Sequence, residues 1–309
     1  MRVIGLERFG GPEVLAVFDV PVPKPGPGEV VIRVKAIGVN PTDVLFREGR
    51  LHPALPTGLP AVPGRDLAGS IVSVGSGAAL PLGAAVMATI DPRLGQGAYA
   101  EYVVLPERLV VRIPVGVSLE EAASLPTCGV TALLALEALQ VCGDDDVIAV
   151  TGATGGVGGS VLQLARQCGV KTIAVCRQEY ATRASDLGAS WVADVSRDPV
   201  REILRIAPGG IAGVVDCSSV GQSLVPAIAD DGVFAILRDL TVVVERGIDL
   251  RRIRISEFDP VHLLERVGEA VGAGALKPRV ALALPLEQAR HAHELLARGG
   301  LDGRMVLIA

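Results

Sequence analysis

The chain has no surplus of basic residues, no long apolar run and no paired cysteines, and each absence removes a class of function. Its 309 residues hold 29 Lys+Arg against 34 Asp+Glu, a formal net charge of −5. There is therefore no basic stripe for nucleic acid or for an anionic membrane surface. No stretch approaches the roughly eighteen uninterrupted apolar residues that a membrane-spanning helix needs. The opening MRVIGLERFG has no apolar signal region. The expectation is a soluble, cytoplasmic protein without membrane or nucleic-acid partners. Five cysteines (Cys128, Cys142, Cys168, Cys176 and Cys217) are scattered without a C-x-x-C pair, which reads as reduced, mostly buried thiols. His291 and His293 stand two apart on an expected helix, so they point to different faces and cannot share a metal. Internal repeats and low-complexity tracts are also missing.

What is there is a core and a change of texture. Half of the residues are apolar and a fifth are charged, enough for a sizeable interior and against disorder. Up to about residue 115, short apolar or alternating runs such as EVVIRVKAIGVN and AGSIVSVGSG are broken by PVPKPGPGE, LHPALPTGLPAVPG and LPLGA. That is the texture of a β-barrel-like domain. From about residue 119 helical stretches alternate with apolar strands. SLEEAASLPTCGVTALLALEAL reads as helical, with Ser118 as N-cap and Glu120 and Glu121 in the first turn. Strands follow at VIAV, TIAVC, WVADV, GVVDCS and GVFAIL, the rhythm of βαβ units and a parallel sheet. RVALALP, the helical LEQARHAHELLARGG and RMVLIA close the chain, and the last is placed back in the β domain. The expected domains are 1–118 with 275–309, and 119–274.

One stretch carries chemistry directly. GATGGVGGSVLQLA (152–165) follows the strand DVIAV and opens a helix expected over 159–168. Gly155 and Gly156 let backbone approach a pyrophosphate, Gly158 lets the helix pack closely, and amides at the helix start face the anion. The second strand ends at Arg177, nineteen residues past Gly158. An acidic residue there would accept from the adenosine ribose of NAD; arginine cannot accept, and its charge suits the extra phosphate of NADP. Arg183 adds a second positive group. NADPH is the expected cofactor.

With GVNPTDVLFREG (38–49), PGRDLAGSIVSVG (63–75), LPTCGVTALLAL (125–136), GATGGVGGSVLQLA and GLDGRMVLI together, the chain resembles the medium-chain dehydrogenase/reductase superfamily, in its zinc-free quinone oxidoreductase branch, over essentially its whole length. The resemblance implies an α/β protein: a GroES-like β-barrel domain plus a doubly wound parallel-sheet Rossmann domain, with the active site in the cleft of the two. It puts Asn40, Arg65 and Thr127 where zinc relatives hold Cys, His and Cys, and none is a good zinc ligand. The four-cysteine structural zinc loop is replaced by MATIDPRLGQGA. Without a Lewis acid the acceptor must already be electrophilic.

By the same resemblance the cofactor-binding set is Asn40, Thr131, Thr154, Gly155, Gly156, Val157, Gly158, Arg177, Arg183, Ser218, Leu237 and Arg238. Asn40 lies toward the nicotinamide end, and Thr131 orients the cofactor from the Rossmann side. Asn40 and Thr42 form the catalytic pair, with Thr42 either a proton donor through water or the cap of a turn. Asp43 and Arg47 of the N-x-x-D-x-x-x-R pattern read as an interdomain ion pair. Where many quinone reductases present aromatic rings, this chain has Leu45 and Leu51 or His52, and LRDL replaces a glycine-rich segment after the fifth strand. The expected activity is NADPH-dependent hydride transfer to a quinone without metal. The alternatives are an enoyl or enone reductase and a non-catalytic NADPH-binding sensor or scaffold. The oligomeric state is left open: the resemblance implies that a homodimer joined through Rossmann sheet edges is one option, with TVVVE (241–245) either such an edge or an interior strand.

Overall fold

The computed structural model describes residues 1–51, 60–141, 146–238, 240–257 and 260–309. His52, Cys142 and the Asp239 of LRDL lie outside them. The chain forms two compact units. One comprises Met1–Thr127, Asp259–Gly272 and Pro278–Ala309; the other comprises Cys128–Phe258 and Ala273–Lys277.

The first unit is built on a seven-stranded sheet whose longest member is Glu29–Gly38. Asp66–Val74 and Tyr102–Pro106 run antiparallel on its two flanks, and the terminal strand Arg304–Ile308 joins it at Val306↔Gly38. Alternating small and β-branched residues let these strands curl around one apolar interior that includes Val30, Ile32, Ile37, Leu67, Ile71, Val86 and Leu307. The N-terminal strand Arg2–Gly5 pairs with Ala16–Asp19. Ser118 caps the turn that follows the barrel strands, accepting from the Glu121 amide at 3.2 Å while the Glu121 carboxylate accepts from the Ser118 amide at 2.9 Å. The expected helix breaks there into Leu119–Ala123 and Pro126–Leu139, because Pro126 has no amide with which to continue the first. The helix Pro260–Gly272 packs against the barrel strands, with Gly268 beside Met87 and Pro114. Contacts thus group it, with residues 119–127, in the first unit, whereas the boundaries drawn from sequence place both in the second.

The second unit is a parallel sheet of six strands. Their spatial order is Trp191–Asp194, Lys171–Cys176, Val147–Thr151, Ile211–Asp216, Ile228–Ile236 and Asp249–Arg252. In chain order this is 3-2-1-4-5-6, the doubly wound arrangement, and direction of progress reverses next to Val147–Thr151. The central strands are apolar and buried on both faces, as a helix-covered parallel sheet requires. The segment TVVVE is neither edge nor interior strand. It runs irregularly, and the Gln222 side chain satisfies the amide and carbonyl of Val243 at 2.7 and 2.8 Å. The sheet ends instead on Asp249–Arg252, whose charged side chains discourage edge pairing.

Of the described cysteines, Cys128 and Cys176 are buried, Cys217 is half-buried and Cys168 is exposed. No helix among the described residues is long and apolar enough to cross a membrane.

Candidate active site

In the parallel-sheet unit every strand points the same way, so the residues following the strands collect at one edge. Thr154–Gly158 follow the first strand, Arg177 the second, Ser218 the fourth, and Leu237 with Arg238 the fifth. The glycine turn is as tight as the chemistry demands. Gly152 has φ +55, and the helix starts at Gly156, three residues earlier than expected. A Cβ on Gly158 would come within 2.4 Å of the Gly152 carbonyl oxygen, so only hydrogen fits. Gly155 takes the N-cap position without a side-chain acceptor for the first-turn amides. That leaves amide donors and the positive end of a 12-residue helix for an anionic ligand. Thr131 lies buried on the helix Pro126–Leu139.

A scaffold under this turn has no counterpart in the sequence reading. Asp216, 1 % exposed at the end of the fourth strand, accepts from the Thr151 hydroxyl at 2.7 Å. It also accepts from the amides of Ser218, Val220 and Gly221 at 3.3, 3.1 and 2.8 Å. One carboxylate thereby shapes the whole loop that bears Ser218 and presses Cys217 and Ser218 against Gly152. Burial and the Asp216 charge push the Cys217 thiol above its ordinary value. A buried Asp that closes a glycine-bearing strand end is the signal that could have found this group.

At the end of the second strand Tyr180 acts as a plate for two cations. The Arg177 guanidinium lies 4.8 Å and that of Arg183 5.3 Å from its ring centre, and Arg177 donates to the Tyr180 hydroxyl at 2.6 Å. Glu179 pairs with Arg177 at 3.1 Å, with both side chains more than half exposed. The structure thus joins the two arginines that the sequence singled out and adds the tyrosine that aligns them.

In the β unit, Asn40 is 1 % exposed and every polar group on it is engaged. Its amide nitrogen donates to Gly38 O at 3.2 Å and Asp66 Oδ2 at 3.0 Å, and its side-chain oxygen accepts from Arg304. Asp66 in turn accepts from the Thr127 hydroxyl at 2.6 Å and the Thr127 amide at 3.1 Å. Asn40 and Thr127 are therefore gathered around the Asp66 carboxylate, and Arg65 precedes Asp66 in the chain. The donor set is wrong for zinc: two residues hydrogen-bonded to a carboxylate, and a guanidinium. Among the described residues no three His, Cys, Asp or Glu side chains group to hold a metal.

Asp43 and Arg47 form no ion pair with each other, and both bond within the β unit. Arg47 reaches His293 Nδ1 at 3.2 Å, His293 Nε2 lies 3.0 Å from the Tyr99 hydroxyl, and that hydroxyl donates to Asp43 at 3.2 Å. A ring and an imidazole thus replace the direct contact that spacing suggested. Burial pushes Asp43 up to about 7 against the pull of the Asn40 amide, and burial lowers His293 to about 3. His293, dismissed as a metal ligand, is thus a buried neutral link in a polar chain. Thr42 sits on the short helix Pro41–Arg47 with its hydroxyl oxygen sealed from solvent and without a partner. It does not cap the turn; Asp43 does, accepting from the Asn40 amide at 2.8 Å.

Comparison with known proteins agrees with this anatomy. Residues 26–115 match the alcohol dehydrogenase GroES-like domain, and residues 156–237 match the family described as zinc-binding dehydrogenase. The chain is 38 % identical over 191 residues to a chloroplast envelope quinone oxidoreductase homolog of Arabidopsis thaliana, spanning 60 % of this chain and 58 % of that protein. To a quinone oxidoreductase of Lama guanicoe it is 30 % identical, over 100 % of this chain and 97 % of the relative. Among solved structures, an NAD-dependent alcohol dehydrogenase superposes with a TM-score of 0.92 at 32 % identity, with full coverage of both chains. A mycobacterial protein complexed with NADPH superposes at 0.86 and 29 %, also with full coverage of both chains.

Proposed function

As a member of the quinone oxidoreductase branch of the medium-chain dehydrogenase/reductase superfamily, the chain is an NAD(P)-dependent oxidoreductase, and we propose that it uses NADPH to reduce a quinone without a metal ion. The carrying observation is Arg177 and Arg183 held on Tyr180 at the end of the second strand, where an acidic side chain would be needed to accept from the ribose of NADH. Their charge and fork geometry suit a phosphate monoester. Thr154, Gly155, Gly156, Val157 and Gly158 offer the pyrophosphate a backbone cradle, with Ser218, Leu237 and Arg238 at the same sheet edge. When bound, the reduced nicotinamide supplies hydride, and one proton from water completes the change of quinone to hydroquinone. The protein's part is to position, to exclude water and to stabilise the charge that develops. Asn40 is a positioning residue that orders Asp66 and Arg304. Side chains at the metal-ligand positions that are locked onto Asp66 or are cationic support the metal-free reading.

A second reading, reduction of an enone or enoyl compound, is favoured by Thr42. A sealed hydroxyl without a partner is a candidate proton donor to carbon.

The test is nicotinamide consumption with benzoquinone, a naphthoquinone, an enone and an enoyl thioester, each with NADPH and NADH. Turnover confined to quinones and preferring NADPH is the expected result; turnover confined to alkenes moves the assignment to the second reading. Arg177→Asp should weaken NADPH about ten- to a hundredfold, as loss of a charge-assisted pair implies, and leave NADH nearly unaffected. An unchanged cofactor preference overturns the phosphate assignment.

A further inference from the structure

We propose that Glu179 makes the end of the second strand a site for two cofactors: its carboxylate accepts from the adenosine ribose of NADH and opposes the 2′-phosphate of NADPH. The role rests on the reading of this strand end as the adenosine ribose site. Every group it needs belongs to the parallel-sheet unit. Glu179 is the middle residue of the short turn Gln178–Tyr180, reached through Arg177 from the strand Lys171–Cys176. The Tyr180 amide donates to the Arg177 carbonyl at 2.9 Å, so the turn folds back on the strand end.

One nitrogen there is contested. Arg177 Nη2 donates to the Tyr180 hydroxyl at 2.6 Å, and Glu179 Oε1 lies 3.1 Å from the same nitrogen. The Tyr180 ring, its centre 4.8 Å from the guanidinium, steadies the cation. The Glu179 side chain is 59 % exposed. An exposed ion pair contributes little to stability, so the carboxylate leaves at small cost while the guanidinium keeps its ring. The same side chains therefore offer two states. In the closed state Arg177 and Glu179 cancel each other's charge, and the carboxylate keeps lone pairs for a hydroxyl donor. In the open state Arg177 is released to a phosphate, with Arg183 at 5.3 Å from the same ring.

The two cofactors differ at one oxygen. In NADH the ribose 2′ oxygen carries a hydrogen that a carboxylate accepts. In NADPH a phosphate replaces that hydrogen, leaving nothing to donate and adding an anion that the carboxylate repels. Glu179 thus holds the preference for NADPH below the level that the arginines alone would set.

The test is calorimetric binding of NADPH, NADH, 2′,5′-ADP and 5′-AMP to the full chain as wild type, Glu179→Gln and Glu179→Ala. Glu179→Ala should weaken NADH and 5′-AMP about tenfold, as loss of a hydrogen bond to a charged acceptor implies. Glu179→Gln, whose amide oxygen still accepts, should weaken them about threefold. Both variants should bind NADPH and 2′,5′-ADP about two- to fivefold more tightly, the size of an exposed charge contact. Their urea midpoints should match the wild type, and a purely structural role would not move the two pairs of ligands in opposite directions. Unchanged affinities, or a shift of all four ligands the same way, overturn the proposal. If wild type prefers NADH and Glu179→Ala removes that preference, the NADPH reading fails and the Glu179 role stands. If wild type prefers NADPH and neither variant changes NADH binding, the NADPH reading stands and the Glu179 role fails.

Discussion

The glycine turn that we propose cradles a nucleotide and the Asn40 cluster solve the same problem, holding polar groups in fixed places, by opposite means. The cradle is mostly backbone: glycines, amides at a helix start, and a loop threaded over the single carboxylate of Asp216. The cluster is mostly side chain, with Asn40, Asp66, Thr127, Tyr99, His293 and Arg304 closing on one another away from water. A backbone site tolerates almost no added volume but stays open to ligand. A side-chain site trades openness for satisfaction, and the groups left over, such as the Arg65 Nε and the Thr42 hydroxyl, stand out for that reason.

The sharpest way to break the comparison is Gly158→Val. With its Cβ due 2.4 Å from Gly152 O, the turn must open, and NADPH affinity should fall by about 100-fold or more, followed by nicotinamide fluorescence. Retained affinity would mean that the cradle is not the binding element. The matching blow to the cluster is Asp66→Asn, which turns an amide donor toward the donors of Thr127 or Asn40. It should cost about 2–4 kcal/mol in urea unfolding, as an unsatisfied buried group does. A loss below about 0.5 kcal/mol, the range of ordinary surface substitutions, would show that the cluster is not structural.

A subtler test uses proton linkage. Asp43 titrates at about 7 in the fold against an ordinary 3.8, so its contribution is full below 3.8 and lost as pH rises toward 7. His293 is lowered from 6.5 to about 3, so its contribution is full above 6.5 and lost as pH falls. Between 3.8 and 6.5 the two slopes oppose, and this pair should add little pH dependence to the wild type. Asp43→Asn should leave stability that declines on acidification, and His293→Gln stability that declines toward neutrality. Each slope should reach up to about 1.4 kcal/mol per pH unit. Denaturation midpoints at several pH values measure it, and parallel profiles in all three proteins would sink the idea.

The contrast also governs what could be read from the chain. Sites coded by contiguous backbone are written contiguously: the glycine turn, the parallel strands and the Arg177 position were all legible, because periodicity and turn chemistry act over a few residues. Tyr180 was missed although only three residues from Arg177, since nothing in spacing alone says that a ring will lie under two cations. The cluster was legible only in part. Asn40 meets Arg304 across 264 positions and Tyr99 meets His293 across 194, distances at which no local pattern operates. Asp43 and Arg47 looked like partners from spacing, but the tertiary fold places His293 and Tyr99 in the path from one to the other. TVVVE failed for a different reason. Its apolar composition suits a strand, yet its backbone found the Gln222 amide instead of a neighbouring strand.

The strand Arg304–Ile308 lies beside Glu29–Gly38, and Arg304 bonds to Asn40. On the ribosome this sets a schedule. Every residue of Cys128–Phe258 has been polymerised before Arg304 exists, so the parallel sheet can collapse while the barrel still lacks a stave. The nascent Asn40 stays without its Arg304 partner until every residue from one to the other has been made.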